Sequence, residues 1–387
     1  MRRRPRLAVA FCAIMLFMMT GCGDKAELTE FGFVQAVAVD LTREGKIALT
    51  THFYNPTGGG ETNAAVKQGQ RGLNIRTEAD TAFEAVRDIP IHFGRKAKWD
   101  HMRVILIGEE VAKSQSLGEV LDYFSRDHEP RATVLVLLTK GTAADYLNVD
   151  PFIEYTIGQQ LRKIEESGSL YSAKTTKIPL LDLAIQLKSE AGVAVIPYVY
   201  SNDARKELTV AGIAMLKEGK LTGSTLTPGN TQYLLMLTDR YESGVIEFPC
   251  SGESKENGKE SLEVVSLKTS VKPVIVNDTL EIRVRTKITG SVAELRCSSL
   301  DTKEKTKQFE DHIKKTVESG MRNMIAVLQK RKLDALGIGD QVFRKNPQLW
   351  RRWKPDWGER FADSRFVIEI EVNVLNTGMT VGNPFSK

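Results

Sequence analysis

Histidine and cysteine are scarce in this chain, whose 387 residues include five histidines and four cysteines. No two histidines stand four positions apart and no Cys-x-x-Cys pair occurs, so the sequence gives no local support to a metal site. A Gly-x-Ser-x-Gly motif is also absent, and the histidines, serines and aspartates are too scattered to indicate a nucleophilic triad. We therefore predict no catalytic residue, no cofactor-binding residue and no metal ligand.

Long apolar runs are missing from the body of the chain, and the one extended run lies at its start. Four arginines among the first six residues precede residues 7–19, a stretch of 13 residues without a charge. A helix needs about 20 residues to cross the hydrocarbon core of a bilayer. The run is therefore too short to span comfortably and has the size of a signal-peptide core. Later runs, such as residues 134–138, are far shorter.

The segment Met19-Thr20-Gly21-Cys22 follows the apolar run directly. Small residues at positions 20 and 21 let a signal peptidase approach the backbone, and Cys22 offers a thiol for thioether lipidation. The segment resembles the lipobox of bacterial lipoproteins, with Met19 where leucine is commonest. We predict that residues 1–21 are a cleaved lipoprotein signal peptide and that Cys22 carries a diacylglyceryl anchor with acyl chains such as palmitate. An ordinary cleaved signal with an incidental cysteine is the alternative.

Positive charge is in excess only when the signal segment is counted. The full sequence has 54 basic and 49 acidic residues, and residues 1–21 contribute four arginines and no acid. The remaining chain is close to neutral, which argues against a nucleic-acid surface and a strong global field. Its length predicts two or three domains.

Strands alternate with helices in the first half of the body. The predicted strands are residues 31–40, 46–53, 102–107 and 133–138, and the predicted helices are residues 77–89, 109–124, 153–164 and 179–190. Asp150-Pro151 supplies a cap and a first-turn proline to the third helix. The order of strand, helix and strand indicates a βαβ unit. We assign residues 22–196 to an N-terminal α+β domain.

The second half, residues 197–387, is assigned to a C-terminal domain. Residues 280–288 and 366–374 alternate apolar and polar side chains, as strands with one solvated face do. Between them, residues 301–333 carry an apolar stripe at helical spacing that should face a core. A long helix flanked by antiparallel strands is expected, and the polar residues 251–260 should form an exposed loop.

The predicted fold class is therefore α+β, with two to three α+β domains and mixed or antiparallel sheets behind the signal peptide. The C-terminal half is left open as one unit or as two lobes, residues 197–262 and 263–387. Cys250 and Cys297 could form a disulfide in an oxidising compartment, but their spacing does not settle the question.

Several charged or aromatic clusters admit two interpretations. Residues 99–101 and 124–131 concentrate charge at helix and strand ends, where it forms either caps and ion pairs or a binding edge. The carboxylate pairs Glu109-Glu110 and Glu165-Glu166 are interpreted as solvated helix surface. The three tryptophans of the basic segment 344–357 either pack against the long helix, which we favour, or meet anionic headgroups or nucleic acid.

Several stretches after the lipobox cysteine, in order along the chain, together form a recognisable pattern: residues 27–34, Val39-Asp40, and residues 101–112, 121–124, 126–131, 212–217, 221–223, 334–361 and 377–378. In this order they resemble the Ger(x)C family of spore germination lipoproteins. The segment from Asp334 through Arg344-Lys345-Asn346-Pro347 to Trp357 and Phe361 is the closest match. Residues 335–338 depart from the family pattern, in which an acid followed by isoleucine and phenylalanine is more typical; the departure puts nothing functional in doubt.

This resemblance implies a non-enzymatic subunit of a spore nutrient germinant receptor, built of three α+β domains. Its implied partners are two multi-spanning membrane subunits, called A and B, and membrane lipid. The implied location is the outer face of the spore inner membrane. In this family, germinant recognition is generally assigned to the membrane subunits. The resemblance therefore implies only one site residue in this chain, the lipid anchor Cys22. The sequence does not identify the nutrient or the partner-binding surface.

Two other functions remain as alternatives. A lipid-anchored protein that delivers a small solute to a transporter would need two lobes closing on a polar cleft. A cell-wall hydrolase would need a carboxylate pair or a metal cluster brought together by folding.

Overall fold

A computed structural model describes residues 27–55, 72–202, 207–250, 258–377 and 384. The described strands are β1 (Phe31–Leu41), β2 (Ile47–Tyr54), β3 (Gly72–Ala79), β4 (Lys96–Lys98), β5 (Val104–Ile107), β6 (Leu135–Thr139), β7 (Val193–Asn202), β8 (Glu207–Lys217), β9 (Lys220–Leu221), β10 (Gly244–Pro249), β11 (Lys259–Val276), β12 (Thr279–Glu294) and β13 (Arg365–Asn376). The described α-helices are α1 (Ala82–Arg87), α2 (Ile89–Phe93), α3 (Glu109–Ser114), α4 (Leu117–Val120), α5 (Asp122–Arg126), α6 (Ile157–Ser172), α7 (Leu180–Leu187), α8 (Pro228–Leu237), α9 (Lys303–Arg331), α10 (Ile338–Lys345), α11 (Pro347–Trp353) and α12 (Trp357–Ala362). Short 3₁₀ helices cover Leu28–Glu30, Ala144–Asn148 and Lys354–Asp356.

The larger sheet is mixed and has the strand order β3-β2-β1-β5-β6-β7-β8-β9, with β4 pairing to the first residues of β1. Strands β1, β5, β6 and β7 are parallel, whereas β2 and β8 join them as antiparallel neighbours. The β1–β2 hairpin and the βαβ unit from β5 to β6 are confirmed. All four residues of β5 are buried, because helices cover both faces of the sheet.

The smaller sheet has the order β10-β11-β12-β13 and is covered by the long helix α9. The apolar stripe from Phe309 to Leu328 is buried, which confirms that it faces a core. The expectation of antiparallel strands around this helix is wrong for β13, which pairs with β12 in parallel. A helical crossover returns the chain to the end of the sheet from which β12 started, so the next strand runs in the same direction. The α+β fold with two mixed sheets is as expected.

Two helix starts were predicted wrongly. Residues 72–79 form β3, hydrogen-bonded along β2, and the helix begins only after Thr81, whose side chain accepts a hydrogen bond from the Glu84 N–H. Helix α6 begins at Ile157 rather than near Asp150-Pro151, because Thr156 provides the cap by accepting from the Gln159 N–H. In both places a threonine in extended backbone takes the cap from an earlier candidate.

The other element boundaries refine the predicted ones. The helical region 109–124 is divided into α3, α4 and α5. Residues 251–257 of the predicted loop lie outside the described part of the chain, whereas Lys259 and Glu260 already belong to β11. The boundary placed at residues 196 and 197 falls inside β7, which is hydrogen-bonded to β8, so the larger sheet continues to Leu221. The subdivision at residues 262 and 263 falls inside β11.

Within the described residues, no helix has both the length and the apolar character needed to cross a bilayer.

Candidate functional site

Cys22, the predicted lipid site, lies outside the described residues, and its lipid stays a prediction. The described chain begins at Glu27, and the 3₁₀ helix Leu28–Glu30 leads directly into β1. Five residues of extended chain span at most about 18 Å, so a lipid on Cys22 would lie close to the start of β1. The end of the larger sheet at which β1 begins is therefore the end that an anchor would bring near a membrane.

Cys250 and Cys297 form a disulfide, with their Cα atoms 5.9 Å apart, which answers the question that their spacing left open. The bond joins the end of β10 to the segment that follows β12. Together with Glu260 these cysteines make the one group of three potential metal ligands found among the described residues. A disulfide has no thiolate to offer a metal, so the arrangement serves as a covalent tie.

Glu260 shows why part of the predicted exposed loop is buried. One carboxylate oxygen accepts hydrogen bonds from the N–H groups of Arg296, Cys297 and Ser298 at 2.8–3.0 Å, and the other accepts from the Ser298 hydroxyl at 2.6 Å. Burial by itself raises the pKa of Glu260, but these four hydrogen bonds lower it overall. Glu260 therefore fixes the turn that carries Cys297.

The interpretation of Glu165-Glu166 as solvated helix surface is wrong for Glu165, which is completely buried. One of its carboxyl oxygens accepts from the Ile178 N–H at 3.3 Å, and the other has no hydrogen-bond partner among the described residues. Burial raises the pKa of Glu165 well above its usual value. Glu166 is half-buried and pairs with Arg162 at 2.8 Å.

The charged residues around Trp99 form caps and ion pairs. Glu129 accepts from the backbone N–H of the buried Trp99 at 3.2 Å and pairs with Lys98 at 3.3 Å. Asp127 accepts from the Glu129 N–H and from the Tyr123 hydroxyl, each at 2.9 Å. These contacts hold the turn after α5 against the strand end, so the first of the two interpretations applies here.

The three tryptophans of the segment 344–357 are core residues, as the favoured interpretation predicted. Trp350 and Trp353 are each 1% exposed and Trp357 is 5% exposed. The rings of Trp350 and Trp357 meet edge to face at 5.0 Å, and the Arg360 guanidinium lies 4.9 Å above the Trp353 ring. The cluster packs α10, α11 and α12 against one another, which leaves no tryptophan free for a membrane or nucleic acid.

Asp334, at the start of the same segment, organises the turn into α10. Its two carboxylate oxygens accept from the N–H groups of Leu336, Ile338 and Gly339 at 2.7–3.2 Å and from the Trp357 indole N–H at 3.2 Å. Desolvation in this fully buried position raises the pKa of Asp334, while the Gly339 and Ile338 hydrogen bonds oppose the rise. The carboxylate thus joins the tryptophan cluster to the end of the long helix.

Glu190, just after α7, links the larger sheet to the tryptophan cluster. Its side chain accepts from the Trp350 indole N–H at 2.7 Å and from Lys354 at 2.8 Å, and its backbone N–H donates to Asp340 at 2.9 Å. The Lys354 and Trp350 hydrogen bonds lower the pKa of Glu190. Sequence reasoning missed this residue, because its partners lie about 160 positions along the chain.

A large cleft lies beside Glu190, and we call it the Glu190 cleft. It has a volume of about 1330 Å³. One side is lined by α4, α5, α7 and the β8–β9 turn of the larger sheet, and the other by the end of α9 and residues 354–359. Many of its charges are paired within the wall: Arg126 with Asp122, Lys354 with Glu190, and Lys332 with Glu359.

Comparison with known proteins matches nearly the whole chain in order. The family described as "Spore germination protein N-terminal domain" matches residues 24–200, and the one described as "Spore germination B3/ GerAC like, C-terminal" matches residues 211–378. Spore germination protein B3 of Bacillus subtilis is 26% identical over 99% of this chain and 100% of its own length. Spore germination protein KC of the same organism is 22% identical over 97% of each chain.

A solved structure titled "Crystal Structure of the GerBC protein" has the same fold. It superposes with a TM-score of 0.55 at 22% identity and covers 88% of this chain and 97% of its own. The fold, the two family matches and the full-length relatives agree with the motifs found in the sequence. The chain belongs to the Ger(x)C, or GerAC-like, family of spore germination proteins.

Proposed function

We propose that this chain is a non-enzymatic, lipid-anchored subunit of a spore nutrient germinant receptor and is required for the germination response. The observation that carries the proposal is the ordered match of both family domains, residues 24–200 and 211–378, to spore germination proteins. The conspicuous charged residues Asp334, Glu190 and Glu260 are engaged in hydrogen bonds that hold the fold together. This use of the charged residues is consistent with a protein that works through contacts.

The proposed anchor is a diacylglyceryl and acyl modification of Cys22, which would hold the body at the outer face of the spore inner membrane. Two acyl chains suffice for stable anchoring without a spanning helix. The proposed partners are the membrane-embedded A and B receptor subunits. Tethering by a short leader would keep the body within reach of partners embedded in the same bilayer.

The test is a gene deletion complemented by three forms of the chain: wild type, Cys22→Ala and Cys12→Ala. Cys12 lies inside the predicted signal peptide and is the matched control, because its replacement leaves Cys22 intact. The deletion should abolish germination to particular nutrients while vegetative growth stays normal, and wild type and Cys12→Ala should restore it. The Cys22→Ala protein should be released from the membrane and lose most of the response. Normal nutrient germination of the deletion strain, combined with a transport defect, would contradict the proposal.

A second candidate function is a lipid-anchored protein that binds a small solute and delivers it to a transporter. The Glu190 cleft favours it, since its volume of about 1330 Å³ exceeds what a small solute needs. Thermal-shift measurements of the purified chain with amino acids and sugars test this candidate. Saturable stabilisation by one of them, lost on replacement of a cleft residue such as Lys188, would favour solute binding over the receptor role.

A further inference from the structure

Residues 151–155, which we call the rim loop, expose an unusual amount of apolar surface. The loop connects the 3₁₀ helix Ala144–Asn148 to α6. The side chains of Phe152, Ile153 and Tyr155 are 64%, 91% and 57% exposed, whereas Glu154, the one charged residue of the loop, is half-buried. Contiguous exposed apolar surface is characteristic of sites that meet another protein or a membrane.

The rim loop is held in place by the start of α6. The backbone N–H groups of Phe152 and Ile153 both approach the Gln160 side-chain oxygen, at 3.2 and 3.5 Å. The residue that follows the loop, Thr156, is buried and caps the helix. The apolar side chains are therefore presented by a fixed backbone.

The loop lies at the end of the larger sheet where β1 begins. Tyr155 lines one small cavity with Phe33 of β1, Tyr54 at the end of β2 and Arg103 just before β5, and a second with Gly72 at the start of β3. Leu28 lies at the same end of the sheet, is 76% exposed and stands six residues after Cys22. A lipid on Cys22 would thus bring this end of the sheet against the membrane surface.

Exposed charges of both signs lie at this end of the sheet, with Glu27 and Glu30 just before β1 and Arg95 and Lys96 beside it. Lys96 lies directly opposite Phe31 in the β1–β4 pairing, and Arg95 precedes it. Both side chains are exposed, and neither forms an ion pair with any residue in the described ranges. Basic side chains next to apolar and aromatic ones are the composition of a surface that meets anionic headgroups.

We propose that the rim loop inserts Phe152 and Ile153 into the bilayer beside the lipid anchor, with Tyr155 at headgroup level and Arg95 and Lys96 against anionic headgroups. This inference rests on the proposed lipidation of Cys22, which determines the end of the larger sheet that faces the membrane. The anchor and the loop would act as two attachment points and fix the orientation of the body relative to its embedded partners. A single flexible tether would leave that orientation free.

The test uses the full-length lipidated chain carrying Ile153→Cys. With Cys22 lipidated and Cys250 bonded to Cys297, the new cysteine is the one free thiol of the mature protein and takes an environment-sensitive fluorophore. The labelled protein is reconstituted into vesicles of phosphatidylglycerol and phosphatidylcholine, with and without a lipid-borne quencher. Arg43→Cys is the matched control, because this exposed turn lies at the opposite end of β1, about 33 Å away.

The label at position 153 should shift its emission to the blue in vesicles and lose most of it to the lipid-borne quencher, whereas the label at position 43 should do neither. Equal accessibility of both labels to an aqueous quencher, in protein that remains bound to vesicles, would overturn the insertion while leaving the anchor intact. Protein that does not bind vesicles at all would overturn both. Shielding of position 153 only in spore membranes that contain the receptor subunits would refute the bilayer as occupant and assign the loop to a protein partner.

Discussion

Replacement of Asp334 by alanine tests the structural role assigned to the most recognisable segment of the family. The substitution removes the acceptor of four hydrogen bonds, from the N–H groups of Leu336, Ile338 and Gly339 and from the indole of Trp357. Three of these donors, the N–H groups of Ile338 and Gly339 and the Trp357 indole, are buried, whereas the Leu336 N–H is partly exposed. Each buried donor left without a partner costs about 1–3 kcal/mol, so the free energy of unfolding should fall by about 3 kcal/mol even at the low end of that range. We expect a large drop in the urea midpoint, followed through tryptophan fluorescence of the purified protein.

Asp363→Ala is the matched control, because Asp363 is an exposed aspartate at the end of α12 in the same segment. Its replacement should change the free energy of unfolding by no more than about 0.5 kcal/mol. Asp334→Asn should fall between the two, since an asparagine keeps one acceptor oxygen but points an amide donor at donors that need an acceptor. Equal midpoints for Asp334→Ala and Asp363→Ala would refute the role of the carboxylate as the centre of this turn.

Two further predictions concern the disulfide and the buried carboxyl group. Replacing both Cys250 and Cys297 by serine should lower the free energy of unfolding by about 4 kcal/mol, because the bond closes a loop with a separation of 47 residues. If the double variant unfolds at the same urea midpoint as the oxidised wild type, and reduction of the wild type does not change its midpoint either, the prediction is contradicted. The pKa of Glu165 is raised, so its contribution to stability is lost as pH rises from the unfolded value through the folded one. Glu165→Gln should therefore melt higher than wild type at pH 8 and about equally near pH 4. A melting difference independent of pH would show that the pKa of Glu165 is the same in the folded and unfolded states.

Periodic elements with one buried face could be predicted from the sequence. The alternation in β12 and β13 and the stripe of α9 repeat over many residues, so a local error does not change the interpretation. The segment of β3 also alternates, but Thr77 and Asp80 fit a helix cap and decided the interpretation wrongly. Only the pairing with β2 settles that competition, and pairing is not visible in a single local pattern.

The site residues that were missed depend on contacts between distant parts of the chain. Glu190 is one of several polar residues after a helix until Trp350 and Lys354 reach it from the other half. Glu260 ends a polar stretch whose composition predicts exposure, and only the turn at Cys297 gives its carboxylate four donors. Asp334 was visible as a family motif, but its role in the turn required the positions of Gly339 and Trp357.

The central claim, a receptor subunit held beside membrane partners, is tested most directly by purification of the tagged chain from spore membranes. The account predicts that two multi-spanning receptor subunits are recovered with the wild-type chain and that recovery falls sharply for Cys22→Ala expressed at the same level. Recovery of the wild-type chain from the membrane alone, without either subunit, would contradict it.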